Sequence, residues 1–271
     1  LVITILTIAL IAFFNYAFEG DWVSIGIFTA CIVFPVLILL DGSLTKIERS
    51  RIFVIYIVAF FVIFFWAAYE QAGASLTLFA AEQTDRTILG WEMPASWIQS
   101  FNPFFVVILA AIMPSVWGAL NKRGMEPASP TKQAIGLLLL SLGYLVICFG
   151  VKDVQPGVKV SLIWLTGLYF IHTMGEIALS PIGLSMVNKL TPVRFASLMM
   201  GIWYLSTSTA NKFAGTLGGL YPEDGKVKTL LGFRIETMFD FFMVFVIMSG
   251  VASLILFLLS KKLQKMMHGV E

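Results

Sequence analysis

Glu70 and Glu176 sit where an ionised carboxylate is expensive. The first lies in Phe64-Phe65-Trp66-Ala67-Ala68-Tyr69-Glu70-Gln71 and the second in Ile171-His172-Thr173-Met174-Gly175-Glu176, each well inside an apolar run. A charge at mid-membrane costs about 2.5–3.5 kcal/mol on insertion scales, so it needs a partner, a water-filled cavity or a proton. Neither glutamate has a Lys or Arg within one helical turn. Two readings follow: a structural hydrogen bond between helices, or proton-coupling chemistry, in which a carboxyl gains or loses its proton as a cationic partner moves.

Neighbouring residues favour a polar cavity. Trp66 precedes Glu70 by four residues and Ser180 follows Glu176 by four, so each pair shares a helical face. Trp203, Thr207 and Asn211 recur at intervals of four with Tyr204 alongside, which combines amphipathic aromatics with hydrogen-bonding groups suited to a polar solute. Trp203 reads equally as packing, and the Thr207 hydroxyl as bonded to a carbonyl one turn back. His172 is either a proton relay or a histidine hydrogen-bonded within a bundle, and two histidines make no metal site.

The elements that must hold these residues are membrane helices. Of 271 residues, 58% are hydrophobic and 13% charged, whereas a soluble domain is about half apolar and a quarter charged. That excludes an ordinary soluble enzyme. The net charge of +2 offers no basic surface for nucleic acid. Cys31 and Cys148 both fall in apolar runs, against a disulfide framework or a thiolate metal site. No phosphate-binding GxxxxGK[ST], HExxH, G-x-S-x-G or paired CxxC occurs, so hydrolase, ATP-driven pump and membrane-enzyme readings lose support, and no cofactor is expected beyond protons as coupling ion.

Apolar runs broken by charge and turn residues give eight candidate spans, roughly 1–18, 22–40, 51–80, 96–120, 133–150, 159–188, 194–220 and 236–260. The fold class is therefore all-α integral membrane. The first two spans carry no Lys or Arg and read as a peripheral hairpin, residues 1–50, beside a six-helix bundle, residues 51–271. Gly136 with Gly143, and Gly215, Gly218 and Gly219, suit close helix packing; Pro114 and Pro181 are kink candidates. With both chain ends in the cytoplasm, eleven of the 18 Lys and Arg residues lie inside, which favours that orientation. A chain that opens on Leu within an apolar run reads as a segment of a longer protein.

Gly175-Glu-Ile-Ala-Leu-Ser-Pro-Ile-Gly-Leu-Ser185, continuing through Lys189-Leu-Thr-Pro192 to Met199-Met-Gly-Ile-Trp203-Tyr-Leu-Ser206, resembles the tenth and eleventh helices of proton-dependent oligopeptide transporters, a branch of the major facilitator superfamily. Phe65-Trp66 with Glu70-Gln71 and Gly73 is similar to that family's seventh helix, and the leading hairpin to the pair of helices that bacterial members insert between their halves. The resemblance implies the C-terminal six-helix half plus the inserted pair. It implies that Glu70 is linked to protonation and to a basic residue of the other half, and that Glu176 meets the peptide amino terminus. Trp66, Asn102, Ser180, Trp203 and Thr207 fall where the family lines its cavity, and Glu82 resembles the acid of the extracellular gate, a place that also suits a solvated helix end. The family's first-helix E-x-x-E-R signature has no counterpart here.

The expected function is proton-driven symport of di- and tripeptides by alternating access, in a bacterial inner membrane, with the lipid bilayer and the N-terminal six-helix half as partners. One alternative keeps the scaffold and changes the cargo to a drug or nitrate. A second is a non-transporting scaffold or sensor whose buried acids only specify helix packing.

Overall fold

The computed structural model describes residues 2–152, 154, 157–223 and 226–270. The chain forms α1 (Val2–Ala17), α2 (Trp22–Leu39), α3 (Lys46–Tyr69), α4 (Ser75–Glu82), α5 (Phe101–Lys122), α6 (Ser129–Val151), α7 (Leu162–Leu190), α8 (Ala196–Gly218) and α9 (Met238–Met266). Among the described residues, six helical segments are long and apolar enough to cross a membrane, one of them Lys46–Glu82, in which α3 and α4 form one interrupted span of 37 residues. α1 is a shorter apolar helix, and α8, with Ser206 to Thr209, Asn211 and Lys212 along it, is not among the six. All eight regions read from hydropathy are helical.

Boundaries differ where local chemistry overrides hydropathy. α3 begins at Lys46, so residue 50 falls in its opening turns. Its start is set by a capping box: Thr45 accepts from the Glu48 N–H while Glu48 accepts from the Thr45 N–H, satisfying two orphan donors. Thr237 and Asp240 do the same for α9, which runs on to Met266. The largest departure is at Tyr69. The α-helix stops there, Glu70–Gly73 form a 3-10 turn, and helix resumes at Ser75, so Glu70 caps a helix end rather than sitting in mid-helix.

α6 runs along α7 and α9, α3 lies against α8 and α9, and α5 packs on α7. Phe65, Phe79, Tyr144, Phe241, Phe242 and Phe245 are fully buried among them, with Tyr144 stacked on Phe245 at 4.8 Å. Small residues permit the α6–α7 approach. A Cβ on Gly136 would stand 2.9 Å from the Gly175 carbonyl oxygen, and one on Gly143 would stand 2.3 Å from His172 Cδ2. Gly218 approaches Gln71, whereas Gly215 faces open space and supports no close packing. Pro114 and Pro181 lie inside continuous helices.

α1 packs on α2, and α2 docks on α8. Asp21, the N-cap of α2, pairs with Lys212 at 2.5 Å, and Cys31 Sγ lies 2.9 Å from Thr209 Oγ1. Hydrogen bonding by Lys212 is the main cause that holds the Asp21 carboxyl well below the usual carboxylate range. At the opposite end, Arg194 pairs with Glu48 at 3.0 Å, while Ser50 and Arg51 donate to the Met266 and Met267 carbonyls beyond α9.

Short strands close the connections at the Asp21 end. β1 (Thr84–Asp85) pairs in parallel with β4 (Val160–Ser161), Thr84 opposite Val160. β2 (Thr87–Ile88) and β3 (Trp91–Glu92) form one antiparallel hairpin, and β5 (Lys228–Leu230) and β6 (Phe233–Ile235) another. Leu89-Gly90 and Leu231-Gly232 turn these hairpins with positive φ at both residues, the geometry that matches strand twist in a two-residue loop. The turns expected at Val154–Gly157 and Tyr221–Gly225 lie partly outside the described residues.

Candidate functional site

Glu176 projects from α7 toward the interruption in α3. Tyr69, the last residue of α3, donates its hydroxyl proton to Glu176 Oε2 at 2.5 Å, and Asn102 Nδ2, from the first turn of α5, donates to the same oxygen at 2.8 Å. Asn102 also donates to the Tyr69 hydroxyl and, at 3.2 Å, to Thr173 Oγ1. Thr173 in turn donates to the Tyr169 carbonyl at 2.7 Å. Three helices thus converge on one carboxylate oxygen, and Glu176 Oε1 receives no hydrogen bond among the described residues. Charge-assisted bonds of this kind fix a carboxylate firmly.

The Tyr69 ring stacks on Phe65 at 5.5 Å and meets Trp66 edge-on at 5.3 Å, which brings Trp66 into the same wall. Glu70, next along the chain, is exposed. Neither acid carries an ion pair among the described residues.

An interrupted membrane helix leaves backbone groups that must be satisfied by protein. Gln71 does much of this. Its Nε2 donates to the Ala67 carbonyl at 3.2 Å and to the Ala214 carbonyl of α8 at 2.9 Å, while its Oε1 accepts from Ser75 at 2.6 Å. Tyr144 adds a bond to the Ala68 carbonyl at 2.6 Å. The break is therefore clamped to α7 through Tyr69, to α6 through Tyr144 and to α8 through Gln71.

The other candidates differ in exposure and in what they touch. Ser180 is half-buried one turn beyond Glu176, and its neighbours Ile177 and Pro181 line a groove of about 860 Å³ that Ser185, Lys132 and Glu126 also line. Trp203 is 4% exposed, its six-membered ring set against Gly183, where a Cβ would come within 2.5 Å. It packs α8 on α7 instead of facing open space. Thr207 is half-buried and Asn211 exposed on the same helix. Glu82 stands apart at the end of α4, exposed, and accepts from the Tyr221 hydroxyl at 3.3 Å. Burial and the Glu82 charge push the Tyr221 phenol above its usual range, so it remains a donor. His172 Nε2 meets the Leu140 carbonyl at 3.1 Å in a buried setting, which is the hydrogen bond within the bundle.

Sequence reasoning missed Tyr69, Gln71 and Thr173. A tyrosine in an aromatic run reads as core, and only its place one residue before an intramembrane acid signals otherwise.

A model of the POT family matches residues 29–231. The peptide transporter YePEPT of Yersinia enterocolitica subsp. palearctica serotype O:3 (strain YE-P4) is 37% identical over 185 residues, 68% of this chain and 36% of that protein. Dipeptide and tripeptide permease A of Escherichia coli (strain K12) is 30% identical over 218 residues, 80% of this chain and 43% of the permease. Among solved structures, a mutant peptide transporter POT in complex with alafosfalin superposes with a TM-score of 0.77 at 28% identity, covering 97% of this chain and 52% of that one. The chain spans between 36% and 52% of the length of these relatives. With its long apolar helices it is a multi-pass membrane chain, its relatives are transporters, and it belongs to the POT family.

Proposed function

We propose that the chain supplies one half of the cavity of a proton-coupled symporter of di- and tripeptides, a bacterial inner-membrane protein with both ends of this chain cytoplasmic. Residues 1–50 form the inserted hairpin and residues 51–271 the C-terminal bundle, which rocks against an N-terminal six-helix half about a midplane site. The names of its relatives, a peptide transporter and a dipeptide and tripeptide permease, support this cargo.

The observation that carries the reading is the Glu176 carboxylate, held on one oxygen by Tyr69 and Asn102 with the other oxygen left for a ligand. A pre-oriented anion of this kind fits a peptide ammonium, which donates up to three hydrogen bonds. Trp66, Ser180 and Thr207 shape the surrounding wall, Trp203 backs it by packing α8 on α7, and aromatic faces tolerate varied side chains. Glu70, exposed on the same side, takes the coupling proton. Its ionised form pairs with a basic residue of the other half, and protonation releases that pair so that the two halves part. Glu82 and Tyr221 sit at the outer gate.

Binding of a dipeptide to the full-length protein tests the amine site. Glu176→Ala should weaken affinity by at least about tenfold, the loss expected for one charge-assisted interaction, and a dipeptide with an acetylated amino terminus should bind both proteins equally poorly. An unaltered affinity removes Glu176 from the site.

A further inference from the structure

Tyr69 occupies a position that neither amine binding nor proton uptake requires. It is the final residue of α3, immediately before the turn that carries Glu70, and its hydroxyl reaches across to Glu176 on α7. That hydroxyl has one proton to give and gives it to the carboxylate; its lone pair accepts from Asn102. The Glu70–Gly73 turn is therefore tied to α7 through this hydroxyl only while Glu176 accepts. Its other supports, Tyr144 to the Ala68 carbonyl on α6, Gln71 to the Ala214 carbonyl on α8 and Ser75 to Gln71 within the segment, are indifferent to the charge on Glu176.

We propose that the Tyr69 hydroxyl is a positioning group that couples occupation of Glu176 to the interrupted segment of α3 carrying Glu70. This rests on the transport reading above and deepens it. A ligand ammonium entering at Glu176 Oε1 draws charge from the carboxylate and weakens the bond that Oε2 accepts from Tyr69. The α3 end is then freed on its α7 side while Tyr144 still holds it on α6 and Gln71 on α8. Glu70 sits one residue past that released contact, so its position answers to whether the amine site is filled. The Phe65 and Trp66 rings packed on Tyr69 extend the same movement along the cavity wall. Asn102 bonds both Tyr69 and Glu176 and keeps the three groups in register before a ligand arrives.

Hydrogen exchange of the Glu70–Leu78 amides, read by mass spectrometry on the full-length protein in detergent, tests the coupling without depending on cargo. Tyr69→Phe removes one oxygen and leaves the ring in place; exchange in this segment should quicken by at least about tenfold, the factor for losing a bond to a charged acceptor. Glu176→Ala, which takes the acceptor away, should quicken it similarly, and the double variant should exchange no faster than the quicker single variant, because both changes remove one and the same link. Unchanged exchange in Tyr69→Phe, or effects that multiply in the double variant, would overturn the proposal. Dipeptide uptake by the unsubstituted protein is scored separately: its absence, with the exchange pattern present, refutes the peptide reading and leaves the coupling standing.

Discussion

Glu176 and Glu70 were both recognisable as intramembrane acids from their positions in apolar runs, yet their surroundings were not. The bond from Tyr69 joins residues 107 apart in the chain, and the bond from Asn102 joins residues 74 apart, so no spacing rule reaches them. The His172 alternative closes on its hydrogen bond to Leu140, and Trp203 proves to be a packing residue against Gly183 as well as a candidate for the wall. Asp21 is a case in which residue chemistry sets pH behaviour. Its carboxyl is held low, chiefly by the Lys212 hydrogen bond and then by Ser24. A group whose folded value is depressed contributes its stabilisation above the ordinary carboxylate range and loses it only as pH falls through the lowered value. The tie between the hairpin turn and α8 should therefore persist as the medium is acidified. The difference in thermal midpoint between the parent and Asp21→Asn is expected to stay constant from about pH 7.5 to about pH 5; a difference that vanishes across that interval contradicts it.

At the scale of elements, hydropathy located every helix because a span must satisfy its own backbone in lipid. It misjudged the start of α3, fixed by Thr45, although the Thr-x-x-Glu spacing was there to read. The break at Glu70–Gly73 was hidden for a different reason: its cost is met by Gln71 bonding to a carbonyl on α8, a contact that exists only once the helices are packed. Small residues were legible in kind but not one by one. Gly143 and Gly215 look alike in sequence, and only the first has a neighbour, the His172 ring, inside the space of a methyl group. Gly143→Ala should therefore destabilise the detergent-solubilised protein by about 1–3 kcal/mol through overpacking, whereas Gly215→Ala, with open space around it, should leave the melting temperature nearly unchanged. Equal midpoints for the two variants would refute this view of the α6–α7 contact.

For the whole molecule, the chain is a hairpin docked on α8 and a bundle that holds Glu176 half-buried and leaves Glu70 exposed. Glu70 is exposed there without an ion-pair partner among the described residues, and the relatives extend over at least about twice the aligned length. A cationic neighbour supplied by the remaining half is the simplest means of holding such a charge within a membrane. The central claim is that this acid couples an inward proton gradient to peptide movement. Its most direct test is dipeptide uptake into liposomes containing the full-length protein, with and without an imposed proton gradient, alongside Glu70→Gln. The account predicts accumulation driven by the gradient in the parent, and loss of accumulation with retained counterflow in the variant. Gradient-driven uptake that survives Glu70→Gln undiminished would contradict it.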